Sequence, residues 1–333
     1  MKTLVIAEVG VNHNGSMEIA KKLIDVASES GANIVKFQTF TAEKLVKNNA
    51  PRAQYQIDNT DKKESQFEML KKLEMTKENF IELNLYCSQK KIEFLSTGFD
   101  IESINFLVDL GIKRIKIPSG EINNLPLLRH ISSFDLPIIL STGMSSLEEV
   151  KETVQFLIKE GVSKKNLIIL HCTSQYPAPL DSVNLRAMLT IKEQLHIDIG
   201  YSDHTLNFET PIAAVSMGAK IIEKHFTLSR SMDGPDHPAS LEPQDLKSMI
   251  ESIRNTELLL GSKEKKPTEI ELQTIKVARK SIVAKKIIPH GKTIEESDID
   301  TKRPGDGVSP MHWDTVIGST AKKKYKKDEQ III

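Results

Sequence analysis

The stretch DIGYSDHTLNFETPIAAVSMGAKIIEKHFT, residues 198–227, decides the fold. It contains two short runs, DIGYSDHT (198–205) and IIEKHFT (221–227), which begin with mostly apolar residues and end with polar ones. A longer segment with helical spacing separates them, and this order is typical of a βα unit with parallel strands. The stretch therefore predicts a parallel sheet with polar side chains at the carboxyl ends of its strands.

The same pattern recurs along the first part of the chain. Six further runs precede the stretch: TLVIAEVG (3–10), NIVKFQTF (33–40), IEFLSTGF (92–99), RIKIPSG (114–120), PIILSTG (137–143) and LIILHCT (167–173). Between the runs, apolar residues recur at three- and four-residue spacing, as in Met17–Ser30, Lys77–Lys90, Leu147–Lys159 and Pro243–Leu260. Eight alternations favour a closed (β/α)8 TIM barrel of the α/β class over an open sheet.

The remaining segments divide the chain into a barrel and an appendage. The barrel is predicted over residues 1–260, with a polar excursion at Ala42–Leu73 that is either a rim of the site or a surface insertion. Residues 261–276 are polar and contain a proline, which predicts a linker. Residues 277–333 have short strands, turns and no long helix, so we expect a small β-rich domain that docks on another surface.

Composition excludes several classes of partner. Among 333 residues, Lys plus Arg and Asp plus Glu each number 45, so no overall charge favours nucleic acid or an anionic membrane. No apolar run is long enough to span a bilayer, and the first residues are too short an apolar run for us to expect a signal peptide. With only two cysteines, we expect a reduced protein in the cytoplasm.

Two histidines end neighbouring strands of the predicted barrel. His204 and His225 can converge on one ion, and imidazole is the commonest protein ligand of transition metals, although a lone histidine in an apolar run is more often a core residue. Water, substrate oxygen or a carboxylate such as Asp236 would complete the coordination. Asp236 lies in GPDHPAS (234–240), which either carries a carboxylate over the barrel mouth or is only a rigid connector.

The other strand ends supply cations and hydroxyl groups. Lys36 and Lys116, with nearby serine and threonine hydroxyls, suit a phosphate and a carboxylate, and phosphoenolpyruvate carries both. The hydroxyls could instead cap the following helices. A lysine at a strand end could also form the Schiff base of a class I aldolase, for which Lys116 or Lys224 would serve.

Several ordered motifs resemble the sialic acid (N-acetylneuraminate) synthase family over nearly the whole chain. They are AEVGVNHNG, VKFQTF, STGFD, KIPSGEINNLPLL, ILSTGM, LHCTSQYPAP, GYSDHT, IEKHFT and GPDH. The segments KSIVAKKIIPHGKTI and TKRPGDGVSP are similar to the family's C-terminal antifreeze-like (SAF) domain. The resemblance implies a domain-swapped homodimer in which this domain caps the partner's active site.

The resemblance also implies a set of site residues. Glu8, His204 and His225 would be catalytic, and the two histidines would hold Mn²⁺ or Mg²⁺. Phosphoenolpyruvate would contact Lys36, Thr97, Lys116, Ser119, Ser141, Ser174 and Ser202, where Ser174 replaces an asparagine of some members. The sugar would contact Gln38, Tyr176, Asp236 and, from the partner, Arg303.

These residues predict a transferase that joins phosphoenolpyruvate to an N-acetylated hexosamine. The metal would polarise the sugar aldehyde, and phosphate would leave by C–O cleavage. The expected sugar is N-acetylmannosamine, which gives N-acetylneuraminate for surface polysaccharides. The alternative is an N,N'-diacetyllegionaminate synthase that uses 2,4-diacetamido-2,4,6-trideoxy-mannose, and pseudaminic acid synthases resemble the chain less. In a different class, the chain would be a non-catalytic carbohydrate- or ice-binding module.

Overall fold

A computed structural model describes residues 2–60 and 64–333. Within this part of the chain, eight parallel strands close into a barrel in sequential order. They are β1 (Leu4–Gly10), β2 (Ile34–Thr39), β3 (Glu93–Gly98), β4 (Ile115–Ile117), β5 (Ile138–Ser141), β6 (Leu167–Cys172), β7 (Asp198–Asp203) and β8 (Ile221–His225). Each lies inside one of the eight predicted runs, and β1 pairs with β8, so the predicted barrel is confirmed.

The helices follow the predicted periodicity. Those of the barrel part are α1 (Met17–Glu29), α2 (Ala42–Leu45), α3 (Gln54–Asn59), α4 (Gln66–Leu73), α5 (Lys77–Gln89), α6 (Ile101–Asp109), α7 (Leu125–Ser132), α8 (Leu147–Lys159), α9 (Arg186–Leu195), α10 (Glu209–Ser216) and α11 (Pro243–Leu260). Helix α8 shows why they form: Ser146 and Glu149 make a capping box at its start, and Val150, Val154 and Leu157 are buried on one face.

Strand periodicity separates the inside of the barrel into two layers. Side chains alternate along a strand, so every second residue points inward. At the amino end, the inward positions are filled by an apolar layer: Ile6, Ile34, Leu95, Ile139, Leu170 and Ile221. Two residues further along the same strands, the inward positions are Glu8, Lys36, Thr97, Ser141, Cys172 and Glu223. The sequence therefore places polar groups directly above an apolar layer.

A glycine lets three strands approach each other closely. A Cβ atom on Gly200 of β7 would lie 2.5 Å from the carbonyl oxygen of Ile221 and 2.5 Å from Cδ2 of Leu170. Both distances are far below van der Waals contact, so any side chain at this position would push β6 and β8 apart. Gly200 thereby allows β6 and β8 to pack closely on either side of it.

The polar excursion after β2 contains the three short helices α2, α3 and α4. Met69, Leu70 and Leu73 of α4 pack with Val11 and Phe40 in a small apolar cluster. This cluster anchors the excursion beside the mouth of the barrel. Residues 61–63 of the predicted excursion lie outside the described residues.

The chain divides into two compact units, Met1–Gly261 and Ser262–Ile333. The second unit has an antiparallel pair, β9 (Ser281–Ala284) and β10 (Ile299–Lys302), and helices α12 (Glu269–Ala278) and α13 (Trp313–Val316). Its apolar core includes Ile282, Ile288, Ile294, Val316 and Tyr325. The second half of the predicted linker, residues 269–276, belongs to α12, which has no buried residue. Among the described helices, none is long and apolar enough to cross a membrane.

Candidate active site

The carboxyl ends of the strands enclose a cavity of about 350 Å³. It gathers most of the residues that the sequence analysis selected: Glu8, Lys36, Gln38, Thr97, Lys116, Ser119, Ser141, Ser174, Tyr176, Ser202, His204 and His225. Arg303 is exposed in the second unit, and Asp236 is buried next to His225. The barrel alone thus brings together all of the predicted phosphoenolpyruvate contacts.

Four buried charged groups form the floor of this cavity. Glu8 Oε2 lies 2.8 Å from Lys36 Nζ, and Glu223 Oε1 lies 3.6 Å from both Lys36 Nζ and Lys116 Nζ. Each of these side chains is at most 6% exposed. Since isolated charges are costly in such an environment, the two lysines and two carboxylates must be read as one balanced cluster.

Burial and pairing shift the protonation of the cluster in different directions. Burial raises the pKa of Glu8 to about 7, against the opposing effect of Lys36. Burial alone would also raise the pKa of Glu223, but Lys116 and Lys36 lower it below its ordinary value. Burial lowers the pKa of Lys116. Glu223 is therefore the firmly ionised partner of the two lysines, and Glu8 is the carboxyl that holds a proton most readily.

Hydroxyl groups surround the lysines as hydrogen-bond partners. Lys36 Nζ donates to Thr97 Oγ1 at 3.2 Å, and Lys116 Nζ donates to Ser141 Oγ at 2.7 Å. Ser119 Oγ accepts from the backbone N–H of Gly143 at 2.9 Å, on the same side of the cavity. Cations with adjacent hydroxyls are well suited to phosphate and carboxylate oxygens, as the sequence analysis expected.

His204 and His225 lie side by side, with ring centroids 5.6 Å apart. His204 Nδ1 is 2.6 Å from the carbonyl oxygen of Thr173, so this nitrogen carries the proton and leaves Nε2 as a lone-pair donor. His225 Nδ1 is buried and has no hydrogen-bond partner among the described residues. Burial lowers the pKa of both imidazoles, which keeps them in the neutral form that binds metals.

This pair fits a divalent cation whose coordination is completed by substrate or water. Asp236 Oδ2 lies 3.9 Å from His225 Nδ1, and burial raises the pKa of Asp236 to about 6. Within residues 2–60 and 64–333, no cluster of three or more His, Cys, Asp or Glu side chains has the arrangement of a metal site. If the two histidines held a cation, coordination positions would stay open to substrate or water, unlike those of a structural site.

The VNHNGS and GPDHPAS loops lock onto each other beside the site. Asn12 Nδ2 donates to the carbonyl oxygen of Phe226 at 2.8 Å and to Ser240 Oγ at 2.9 Å. His237 Nδ1 lies 2.6 Å from Thr227 Oγ1, and its Nε2 lies 3.1 Å from Asn14 Oδ1. These contacts make the loops a rigid support, and they hold Asp236 next to His225.

Aromatic side chains form the wall above the histidines. The Tyr176 ring lies 4.1 Å from the His204 ring and 5.0 Å from the Tyr55 ring, measured between centroids. Tyr55 belongs to α3, so the excursion after β2 contributes to the cavity together with Gln56 and Gln66. This favours the rim interpretation of the excursion over a remote surface insertion.

Sequence reasoning gave no role to several of these residues. Glu223 stands two residues before His225 in β8, so strand periodicity alone places both side chains on the inward face. Tyr55, Gln56 and Gln66 offered no such signal, because irregular excursions do not reveal which residues face a cavity. Lys224, between the two inward residues, lies outside the cavity and is fully buried. This removes it as a Schiff-base lysine, which must reach its substrate.

Comparison with known proteins agrees with this fold. The NeuB family matches residues 23–265, and the SAF domain matches residues 279–331. An N,N'-diacetyllegionaminic acid synthase of Campylobacter jejuni is 48% identical over 330 residues, which cover 99% of each chain. Another, from Legionella pneumophila, is 47% identical over 96% of this chain and 90% of its own. The crystal structure of an N-acetylneuraminic acid (sialic acid) synthetase from Leptospira borgpetersenii superposes with a TM-score of 0.74, at 33% identity, over 83% of this chain and 90% of that one.

Proposed function

Because the chain belongs to the NeuB family, we propose that it is an N,N'-diacetyllegionaminate synthase, which condenses phosphoenolpyruvate with 2,4-diacetamido-2,4,6-trideoxy-mannose. The match to the family model confirms the family that the motifs predicted. The relatives are synthases, so an enzyme is favoured over a non-catalytic binding module. The single observation that carries the choice of sugar is the 47–48% identity to two legionaminic acid synthases over nearly the whole chain. It supports the alternative better than the expected N-acetylmannosamine, since the sialic acid synthetase of known structure is 33% identical.

The charged floor supports the phosphoenolpyruvate half of this proposal. Lys36 and Lys116 provide two cations, while Ser119, Ser141 and Thr97 provide hydroxyl donors around them. A trianionic ligand would add negative charge beside Glu8 and Glu223, so a proton on Glu8 would reduce the repulsion. We therefore assign the phosphate and carboxylate of phosphoenolpyruvate to the two lysines and their hydroxyl neighbours.

The aldehyde half belongs to the histidine side of the cavity. A divalent cation bound by His204 and His225 would act as a Lewis acid on the aldehyde oxygen. Gln38, Tyr176 and Tyr55 line the space next to these rings, and they offer neutral hydrogen-bonding groups and aromatic faces to a sugar chain. With both substrates bound in this way, C1 of the sugar and C3 of phosphoenolpyruvate would share one cavity.

The carboxylates act on the carbon that becomes electron-deficient. When C3 of phosphoenolpyruvate bonds to C1 of the sugar, the aldehyde oxygen takes a proton from an acid in the cavity and positive charge develops at C2. Water adds at C2 and returns one proton to that acid. The C2–O bond to phosphate then breaks as the new hydroxyl becomes the C2 ketone, and the hydroxyl proton leaves with the phosphate. Glu8 and Glu223 face the same cavity as the lysines, so they can stabilise the charge at C2 and orient the water, while the lysines stabilise the departing phosphate.

A phosphate-release assay tests this reaction. Metal-supplemented protein would be mixed with phosphoenolpyruvate and either the diacetamido sugar or N-acetylmannosamine, and kcat/KM would be compared. We expect the diacetamido sugar to give the larger value by at least about tenfold, since each lost polar contact weakens binding by roughly 1 kcal/mol or more. A preference for N-acetylmannosamine would restore the original expectation, and no release with either sugar would contradict the proposed reaction.

We further propose that the protein is a homodimer in which Arg303 contacts the sugar in the partner's barrel. Exposed apolar side chains support this, because α11 ends in Leu258, Leu259 and Leu260, and α12 exposes Ile270. Charge also supports it, because Ser262–Ile333 contains 16 Lys and Arg against 11 Asp and Glu, whereas the whole chain is neutral. The cytoplasm remains the predicted location.

Subunit mixing tests the role of Arg303. Arg303→Ala subunits and His225→Ala subunits would each be inactive, but mixed dimers would contain one site with both an intact barrel and an intact Arg303. We expect activity to return in the mixture, up to about a quarter of the wild-type value for random pairing. No return of activity, with mixed dimers shown to form by native mass spectrometry, would contradict the role of Arg303 in the partner's site, and full activity of the Arg303→Ala protein alone would place Arg303 outside the site.

A further inference from the structure

Lys224 is a buried lysine that the proposed reaction does not use. It stands in β8 between Glu223 and His225, and its side chain points away from the cavity that those two residues line. Its side chain is 0% exposed, as is that of Asp203, to which it is paired. A fully buried charge requires several partners, so its contacts indicate what it stabilises.

The partners of Lys224 all belong to one turn. Lys224 Nζ lies 2.5 Å from Asp203 Oδ2, and it also donates to the carbonyl oxygens of Thr205 and, at 3.1 Å, Asn207. Asp203 in turn accepts from the backbone N–H of Thr205 at 3.1 Å and from Thr205 Oγ1 at 3.0 Å. The ammonium group therefore closes the turn from Asp203 to Asn207 around itself.

His204 lies within this turn. Its carbonyl oxygen accepts from the backbone N–H of Ala178 at 2.8 Å, and its ring nitrogen donates to the carbonyl oxygen of Thr173. The residues on either side of it, Asp203 and Thr205, are the ones held by Lys224. The bond to Thr173 thus fixes the imidazole ring, and the bonds of Lys224 to Asp203 and Thr205 fix the backbone on either side of it.

We infer that Lys224 is a positioning residue. It directly precedes His225 in β8, and it holds the turn that carries His204 at a fixed distance from His225. The ammonium group links the two strands that carry the histidines, so the spacing of the two imidazoles depends on it. The inference rests on the proposed metal role of this pair. It extends that role to a residue that touches neither the metal nor the substrate.

Two variants separate positioning from simple stability. Lys224→Met leaves Asp203 buried without its counter-ion, and that protein could fail to fold. The double variant Lys224→Met/Asp203→Asn removes both charges and keeps an acceptor for the Thr205 N–H, but loses the bonds to the Thr205 and Asn207 carbonyls. Arg114→Met is the matched control, because Arg114 forms an ion pair with Glu93 at 2.7 Å at the opposite end of the barrel.

The readout is metal affinity, measured by Mn²⁺ titration with electron paramagnetic resonance and by the visible spectrum of bound Co²⁺. We expect the double variant to fold by circular dichroism, to bind Mn²⁺ about 10–100-fold more weakly and to show an altered Co²⁺ spectrum. Its KM for phosphoenolpyruvate should stay within about twofold while kcat falls, and the Arg114→Met protein should bind metal like the wild type.

The outcomes distinguish this inference from the proposed function. Wild-type affinity and an unchanged Co²⁺ spectrum in the folded double variant would overturn the positioning role. A wild-type protein that binds Mn²⁺ at this site but releases no phosphate would contradict the synthase proposal and leave the positioning role intact. A wild-type protein that binds neither ion would overturn the metal site and this inference together.

Discussion

The two ends of the barrel treat polar groups that are wholly or partly removed from water in opposite ways. At the amino end, Arg254 donates to the Thr3 carbonyl oxygen at 2.8 Å and to Asn33 Oδ1 at 3.0 Å, and Asn33 Oδ1 also accepts from the Val5 N–H. At the carboxyl end, Glu223 Oε2 and His225 Nδ1 are buried without a hydrogen-bond partner among the described residues. The polar groups at the amino end thus have hydrogen-bond partners within the protein, whereas these two atoms at the carboxyl end do not.

This difference indicates that polar residues at the amino end stabilise the fold and that those at the carboxyl end serve the reaction. A buried polar atom without a partner costs roughly 1–3 kcal/mol, so a fold retains such atoms only where something else compensates. At the carboxyl end the compensation would come from substrate and metal. Substitutions at the amino end should therefore change stability alone, and substitutions at the carboxyl end should change activity far more than stability.

The histidine pair gives the largest expected effect. His204→Ala and His225→Ala should each lower kcat by roughly 10³-fold or more, because loss of the Lewis acid removes several kcal/mol of transition-state stabilisation. Phosphate release with saturating metal measures this. If either variant keeps near wild-type turnover after treatment with a chelator, the histidines are not the metal site.

Glu223→Gln tests whether the charged floor of the cavity serves the reaction more than the fold. It keeps the size of the side chain but removes the anion that faces both lysines, so kcat should fall by about 10²–10³-fold. The midpoint of thermal unfolding should also fall, because Lys36 and Lys116 lose the buried carboxylate that faces both of them, but the fall in kcat should be the larger effect. A large loss of stability with retained activity would assign Glu223 to the fold rather than to the reaction.

Arg254→Met should show the reverse pattern at the amino end. The loss of its bonds to Thr3 and Asn33 should lower the free energy of unfolding by roughly 1–3 kcal/mol, while kcat and KM stay within about twofold of the wild type. Urea unfolding and the phosphate-release assay measure the two quantities. A tenfold fall in kcat without loss of stability would break the contrast between the two ends.

Substitution of Asp298, in the second unit, should give the smallest effect. Like a substitution at the amino end of the barrel, it should change stability and not activity. Burial alone would raise its pKa, but hydrogen bonds from Lys292, the Glu295 N–H and Lys286 lower the pKa of Asp298 to about 2. Because the folded-state pKa lies below the ordinary value, this stabilisation is present above about pH 4 and is lost as the pH falls towards 2.

The measurement for Asp298 is unfolding as a function of pH. Asp298→Asn should cost about 1–2 kcal/mol at pH 7, since the two lysines are partly exposed, and it should flatten the loss of stability between pH 4 and pH 2. Equal acid sensitivity of the variant and the wild type would show that Asp298 contributes nothing to it.

The sequence predicted the fold well because its signal is local. Apolar runs and helical spacing located all eight barrel strands, and helices such as α8 and α11 begin and end where the periodicity does. It also placed the polar strand ends in one cavity, since the carboxyl ends of a parallel barrel meet. Strand alternation could have added Glu223, which shares its face with His225.

Other features depend on tertiary contacts that no pattern reveals. The sequence alone left Lys224 a candidate Schiff-base lysine, and only the folded turn from Asp203 to Asn207 shows why it is buried. Tyr55 enters the cavity from α3, a short helix in an excursion in which another helix, α4, packs in a separate apolar cluster. The choice between two sugars rests on similarity to relatives, because the substituents that differ are read by loops of irregular structure.

Calorimetric titration of phosphoenolpyruvate measures whether substrate binds to the buried charges at the carboxyl end of the barrel. With Mn²⁺ present, we predict saturable binding to the wild type, binding weaker by about 10–100-fold in Lys116→Met, and unchanged binding in Arg254→Met. Equal affinity in Lys116→Met and the wild type, or no binding to any of the three proteins, would contradict the account.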